Sequence, residues 1–446
     1  MGSAGASRAV GRARRPGQYV RVRRQQHVPR RQGRRQGGIA VVTVSTAGIM
    51  STARTGQLAV VGLGLVAPGV SGPADAPAPA GAVAPGWFEA ESALPGRGYR
   101  RLPDACKYLL AASRLAVGDA GDRLAQTGRD HRGAAVAINN TGAALLEEMD
   151  HTIMRAGAEE MSPSSSPFIA MSSFASRLSM EHGITGFNLT VNSPVTAGLE
   201  ALQIAARAVA AGRARAVLVA AVEEALSPSQ TQSRRQPRSP VSGPRPPSAA
   251  GAWPPPTAGA WPTSAADAGP SAATGPPSQA SADGTEAGAA VLYCEPVVGG
   301  YARYGTCGAR GAFLDPESAG RDADAVLGPL LGDDPPGRID AVLDDSAVGT
   351  AAARWLDRLT GGACEVVVVG APAQAGCLTP LQRVVGLFAQ EHTAPTRRAV
   401  LAASAMGTLA YAELTVAPRP AVEADDGVPY PAAESSGAFT EGASRP

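Results

Sequence analysis

The chain has 446 residues, 44% of them hydrophobic and 4% aromatic, so it is long enough to bury one large core or two. Its net charge of +2 hides an asymmetry, because arginines crowd residues 1–49 and the first acidic residue is Asp75. Five scattered cysteines without a CxxC pair argue against a disulfide framework and against a zinc site, and no apolar run is long enough to span a bilayer. We therefore expect a cytoplasmic protein without a cofactor, a metal or a membrane partner.

Residues 1–49 are predicted to be a disordered, Arg-rich leader, because dense like charge and low hydrophobicity cannot offset the entropy of ordering. The stretch that begins at Met50 reads like a natural protein start, which favours an upstream extension from a mis-called start codon. A basic arm for nucleic acid is the alternative. We favour the first interpretation and expect no nucleic-acid partner.

From Leu58 to about Pro228, apolar runs of β type alternate with helical patterns, as is typical of an α/β fold with buried strands. The predicted strands are 58–64, 134–140, 187–192 and 216–222, and the predicted helices are 105–121 and 198–212. Residues 229–282 then break the pattern with a Pro/Ala/Ser-rich stretch, which we interpret as a flexible insert.

Ordered structure is predicted again from residue 284 onward. The pattern indicates strands at 284–297, 339–346 and 364–370, a helix at 380–392 and a strand pair within 398–418. The tail 419–446 is polar and is expected to be loose.

The most informative stretch is 186–212, where a buried strand runs through a sharp turn into a long amphipathic helix. Ser193 is predicted as the N-cap of that helix and Pro194 as its first residue. A thiol at such a turn would have a depressed pKa and act as a nucleophile. A serine hydrolase built on Ser193 is disfavoured, because no GxSxG surrounds this residue.

This stretch resembles the β-ketoacyl synthase family, which includes the chain-length factors of type II polyketide systems. The family pattern T-V-x-T-A-C-x-x-G-L is matched by Thr190, Val191, Ser193, Gly198 and Leu199. Similar motifs stand at 59–69, 99–121, 211–228 and 283–296, so the resemblance covers roughly 50–420 except the Pro-rich insert.

The resemblance implies an α/β, thiolase-like layered αβαβα fold of two similar halves with mixed five-stranded sheets. The first half would span 50–297, interrupted by the insert 229–282, and the second half would span 298–418.

The family's chemistry needs a nucleophilic Cys, two His and a Lys, and none stands where the motifs place it. The Cys position holds Val195, the first His position Ser346, and the second His position Cys377, with Pro372 in place of the Lys. Four of the five histidines precede the turn, and the single lysine, Lys107, lies in the N-terminal part. No catalytic residue is therefore predicted to be retained.

Other polar residues and two cysteines are expected to have no role in catalysis. Neighbouring acids at two predicted strand ends are expected to be solvated loop charges; these are Glu223, Glu224, Asp344 and Asp345. His182 is expected to be a packed histidine, while Cys364 and Cys377 are expected to be small core residues.

These observations predict a chain-length-factor-like subunit that does not condense by itself, although the family is one of acyltransferases. Its expected partners are an active ketosynthase, in a heterodimer, and an acyl carrier protein. Met171, Phe174 and Leu178 are candidates for a tunnel wall or interface, with ordinary core packing as the alternative. Two other functions stay open: an active 3-oxoacyl-[acyl-carrier-protein] synthase-type acyltransferase with an unrecognised nucleophile, and a decayed, non-functional homologue.

Overall fold

The computed structural model describes residues 56–76, 86–163, 166–227, 229–230, 287–297, 302–359, 364–370 and 376–419. The predicted leader 1–49, nearly all of the predicted insert 229–282 and all of the tail beyond Arg419 lie outside the described residues. The predictions for these segments, and the domain boundaries that rest on them, stay predictions.

The first half of the chain alternates strands and helices as the hydrophobic pattern indicates. Its elements are β1 (Leu58–Val66), α1 (Ala90–Ala93), α2 (Asp104–Asp119), α3 (Arg123–Gln126), β2 (Arg132–Ile138), α4 (Ala143–Ala156), α5 (Ser172–His182), β3 (Asn188–Val191), α6 (Ala197–Ala210), β4 (Ala216–Glu223) and β5 (Gly288–Pro296).

The second half repeats this alternation. Its elements are β6 (Gly305–Phe313), α7 (Ala319–Leu331), β7 (Arg338–Leu343), α8 (Ala347–Asp357), β8 (Glu365–Gly370), α9 (Leu378–Ala389), β9 (Thr396–Ala403) and β10 (Thr408–Val416). The predicted strand pair near the C-terminus is therefore confirmed as β9 and β10.

The two halves share one strand arrangement. Within the described part of the chain, the sheet order is β3-β2-β4-β5-β1-β6-β10-β9-β7-β8, so each half contributes five strands in the same relative order, mirrored about the centre. In each half two neighbouring pairs are parallel and the next two pairs are antiparallel. The expected mixed five-stranded sheets are confirmed, and they meet where β1 pairs with β6 over Leu58–Val60 and Gly305–Cys307.

Three buried cores separate the layers. The central core combines α6 and α9 with one face of the strands from both halves. A second core lies between α2, α5 and the opposite face of the first-half strands, and a third lies between α7, α8 and the second-half strands. This order of helix, sheet, helix, sheet and helix is the layered αβαβα arrangement that the resemblance implies.

The glycines of β1 are required by close packing, not by a nucleotide. A Cβ on Gly64 would lie 1.9 Å from the carbonyl oxygen of Ala112, and one on Gly62 would lie 2.1 Å from that of Ala116. Helix α2 therefore rests directly on β1, and only residues without a side chain fit between them.

Candidate functional site at the start of the central helices

The turn between β3 and α6 holds Val195 in a strained backbone conformation. Its φ is +61°, and within the described part of the chain it is the only residue other than glycine with a positive φ. Positive φ in a β-branched residue is a genuine outlier that costs about 1–3 kcal/mol, so the surrounding structure must impose it. The side chain is fully buried in the central core.

The strained turn changes where the helix begins, and the prediction of Ser193 as N-cap and Pro194 as first helical residue is wrong. Helix α6 begins at Ala197 with Thr196 in the N-cap position. The physical reason is that a residue with positive φ cannot belong to a right-handed helix, so the helix starts only after Val195. The Ser193 hydroxyl instead donates to Glu200 Oε2 over 3.1 Å.

Cys377 lies immediately before α9, at the point where the two central helices approach each other. A Cβ on Gly198 would lie 2.9 Å from the carbonyl oxygen of Cys377 and 3.1 Å from Cβ of Leu381. Cys377 and Val195 are both fully buried in the same core. The structure therefore brings these two predicted site residues into one region and confirms Cys377 as a small core residue.

Ser346 has a structural role at the start of α8. Its Oγ accepts a hydrogen bond from the Gly349 backbone N–H over 3.1 Å, which makes it the N-cap, and its hydroxyl donates to Asp344 Oδ1. The other Asp344 oxygen accepts the Ala405 N–H over 3.0 Å. These bonds tie the loop after β7 to the turn between β9 and β10.

The expectation that the paired acids are solvated loop charges is wrong for Glu223 and Asp344, which are 1% and 6% exposed. Glu223 Oε1 accepts the Cys377 N–H over 2.7 Å, and its Oε2 accepts the Asn140 N–H over 2.9 Å. One buried carboxylate therefore links the end of β2 in the first half to the start of α9 in the second. Asp345, in contrast, is exposed as expected.

Glu224 satisfies the backbone at the start of α4. Its Oε1 accepts the N–H groups of Gly142 over 2.7 Å and Ala144 over 3.2 Å. Burial raises the pKa of this carboxyl group, and the backbone hydrogen bonds oppose that shift. Sequence reasoning missed Glu223 and Glu224, because a pair of acids at a strand end does not show which backbone groups will face it.

The three tunnel or interface candidates lie in different environments. Phe174 and Leu178 are fully buried in the core beneath α5, in contact with the protein's own interior. Met171 immediately precedes α5 and is 38% exposed. Its sulfur accepts a hydrogen bond from Asn192 Nδ2 over 3.2 Å, which connects it to the turn that holds Val195.

His182 is a packed histidine, as expected. Its Nε2 lies 2.8 Å from Ser113 Oγ, and the Ser113 hydroxyl donates its single hydrogen to the Leu110 carbonyl. The ring nitrogen must therefore supply the hydrogen of the Ser113–His182 bond, so this pair cannot act as a serine and its general base. Burial lowers the pKa of His182 to about 4.

The described residues form neither a metal site nor a helix that could span a membrane. They contain no group of three or more His, Cys, Asp or Glu side chains that could hold a metal ion. None of the helices they form is long and apolar enough to cross a bilayer. Pro372, predicted to replace the family's lysine, lies outside the described residues.

Comparison with a family model confirms the resemblance over part of the chain. Residues 70–250 match the model described as "Beta-ketoacyl synthase, N-terminal domain". This stretch includes α2, β2, α5, the strained turn and β4.

Two curated relatives match a shorter stretch. The 3-oxoacyl-[acyl-carrier-protein] synthase 2 proteins of Vibrio cholerae and Vibrio harveyi are each 26% identical over 141 residues, which is 32% of this chain. The match covers 34% of each relative, about a third of its length.

Solved structures resemble the fold along most of the chain. One is a type II PKS acyl-carrier protein in complex with its ketosynthase bound to the hexaketide. It aligns with a TM-score of 0.54 and 13% identity, over 81% of this chain and 99% of that chain. Another, the ishigamide ketosynthase/chain length factor, aligns with a TM-score of 0.55 and 17% identity over 81% of this chain and all of that chain. The chain therefore has the thiolase-like ketosynthase fold.

Proposed function

We propose that this chain is a ketosynthase-like subunit that does not condense, and that it serves as the chain-length-factor-like partner of an active β-ketoacyl synthase. In that role it would shape the cavity for the growing acyl chain and stabilise the active subunit during polyketide or fatty-acid elongation. An acyl carrier protein would deliver substrate to the pair. The structural neighbours, an acyl-carrier protein in complex with its ketosynthase and a ketosynthase/chain length factor, support this class of partner.

The observation that carries the proposal is Val195. Val195 lies in a buried, strained turn between a strand and a central helix, at the position where the resemblance implies a nucleophilic Cys. A valine side chain has no lone pair or proton to offer, so it can neither attack a thioester nor donate a hydrogen bond. The turn therefore lacks the group on which an acyl chain would be held.

The residues at the two histidine positions do not compensate. Ser346 is committed to capping α8 and to Asp344, and a serine hydroxyl near neutral pH is a poor general base. Cys377 is fully buried and packs in the central core. Neither Ser346 nor Cys377 replaces the His pair that, by the resemblance, stabilises the enolate when a malonyl unit is decarboxylated.

The sheet edge supplies a surface for the proposed partner. Strand β3 is the outermost strand of the first half, and it pairs with β2 on one side. Leu189 on β3 is 40% exposed, and the nearby Ile169 and Met171 are 49% and 38% exposed. Within the described part of the chain this edge pairs with no further strand, and an edge with apolar neighbours is suited to pairing with a second, similar subunit.

Reconstitution of condensation tests the proposed role. This chain, an active ketosynthase partner and both together are incubated with acyl-loaded and malonyl-loaded carrier protein, and the products are measured by mass spectrometry. We expect no product from this chain alone and a change in chain length or yield when it joins the partner. Product from this chain alone would contradict the proposal and favour an active acyltransferase.

A pair of surface variants tests the pairing edge. Leu189→Asp places a charge on β3 and should abolish complex formation with the partner. Leu115→Asp is the matched control, because Leu115 is similarly exposed, at 49%, but lies on α2. Equal complex formation by both variants would exclude the β3 edge as the contact.

A further inference from the structure

A cluster of basic side chains lies at the end of α9 opposite to Cys377. It comprises His392 in the loop after α9, Arg398 on β9 and Arg419 after β10. The Arg419 backbone N–H donates to the His392 carbonyl over 2.8 Å. Its guanidinium donates to the carbonyls of Phe388 and Gln390 at the end of α9. These bonds hold the loop and the chain after β10 against the helix end.

Arg398 faces the interior of the layered structure. It lies on the same face of β9 as Val400 and Ala402, which belong to the central core. Across the sheet it is in register with Arg338 on β7. Three basic groups, contributed by β7, β9 and the chain after β10, therefore border this end of the central layer.

Some arginines in this region have a carboxylate partner and others do not. Arg338 lies 2.7 Å from Asp340, and Arg397, on the opposite face of β9, forms ion pairs with Glu413 and Asp334. Among the residues that the structure describes, neither Arg398 nor Arg419 lies within ion-pair distance of a carboxylate.

Three buried nitrogens in the cluster also have no hydrogen-bond partner among the described residues. They are Nε of Arg398, Nε of Arg419 and Nε2 of His392. A buried polar atom without a hydrogen-bond partner lowers the stability of the fold, and a buried guanidinium charge without a counter-charge lowers it further. Burial, followed by the charges of Arg398 and Arg419, lowers the pKa of His392.

We propose that His392, Arg398 and Arg419 form a binding site for a phosphate group. An arginine presents its N–H groups in a rigid fork that matches two oxygens of a phosphate, and the imidazole adds a third polar contact. All three side chains are half-buried, so part of each is exposed to solvent. Inorganic phosphate and a phosphate monoester share this chemistry, and the site lies apart from the Val195 turn.

Isothermal titration calorimetry on the full chain tests the proposal, with inorganic phosphate and glycerol phosphate as probes at an ionic strength held constant with chloride. We expect saturable binding of one phosphate group per chain. Arg398→Gln should weaken it by about tenfold or more, the usual value of a hydrogen bond between charged groups. Tighter binding of the monoester would assign the site to a phosphorylated ligand, and tighter binding of inorganic phosphate to the free ion.

Arg358→Gln is the matched control, because Arg358 is an exposed arginine paired with Asp324. It should bind phosphate as the unmodified chain does. No saturable binding of either probe, or equal binding by Arg398→Gln, would overturn the proposal.

Thermal unfolding provides a second readout that a purely structural role would not produce. In phosphate-free buffer, Arg398→Gln should be at least as stable as the unmodified chain, because it removes an uncompensated buried charge. In saturating phosphate the unmodified chain should be more stable than Arg398→Gln, because bound phosphate stabilises the folded state. If Arg398→Gln does not fold, Arg398→Lys keeps the charge but loses the fork, and binding unchanged in that variant would overturn the proposal.

Discussion

The strain at Val195 predicts an unusual response to shortening its side chain. Val195→Ala removes two buried methyl groups and should cost about 2 kcal/mol of unfolding free energy. At an ordinary buried strand position, the further step from Ala to Gly costs about 1.5 kcal/mol, from one more methyl group and from backbone entropy. At Val195, glycine also relieves about 1–2 kcal/mol of positive-φ strain, so the Ala-to-Gly step should be close to neutral.

The assay is urea unfolding of four variants followed by circular dichroism. Val219 is the matched control, because it is fully buried in the same core but lies in the extended strand β4. Val219→Gly should be less stable than Val219→Ala by about 1.5 kcal/mol, whereas Val195→Gly and Val195→Ala should differ by less than about 0.5 kcal/mol. An equal Ala-to-Gly cost at both positions would refute the strained turn.

Three further predictions concern pH, close packing and capping. Burial lowers the pKa of His182 to about 4, below its value in the unfolded chain. The contribution of the neutral imidazole to the free energy of unfolding should therefore be fully present above pH 6.5 and should fall by about 3 kcal/mol as the pH drops towards 4. His182→Gln should flatten this pH dependence in acid-unfolding curves. Gly64→Ala should prevent folding or lower the melting temperature sharply, since its Cβ would lie 1.9 Å from the carbonyl oxygen of Ala112. Gly118→Ala is the control, because Gly118 lies in helix α2 with open space around it, and this variant should be neutral or stabilising by up to about 1 kcal/mol. Ser346→Ala removes the α8 cap and should cost about 1 kcal/mol in urea unfolding; no change would show that the cap contributes nothing.

Hydrophobic pattern sufficed to predict most of the sheet. Strands such as β4, with every residue buried, read as continuous apolar runs, and helix α2 reads as an amphipathic pattern. Strand β6 was not predicted, because its sequence contains Gly305, Gly308 and Gly311 and little apolar character. It is a strand because β1 and β10 pair with it on either side, which is a tertiary effect that a local pattern does not contain.

The candidate site was predicted less completely than the fold. The turn and its central residue, Val195, follow from the strand–turn–helix pattern, but the positive φ that delays the helix start to Ala197 does not. The buried role of Glu223 was also missed, because its partners, Asn140 and Cys377, are distant in sequence. Long-range hydrogen bonds of this kind depend on how the two halves pack, and a short motif does not encode that.

The strained turn at Val195 lies where the two central helices approach each other. Gly198 lets the start of α6 approach Cys377 closely, and the Glu223 carboxylate fixes the Cys377 backbone from the other side. The turn is therefore held by the contact between the two central helices.

The most direct test of the silent-subunit proposal is to co-express the full chain with an active type II ketosynthase and purify through a tag on this chain. The complex is then incubated with acyl-loaded carrier protein, and each subunit is weighed by intact-protein mass spectrometry. We expect a stable one-to-one complex in which the acyl adduct appears on the ketosynthase alone. A chain that elutes by itself, or that carries the acyl group, would contradict the proposal.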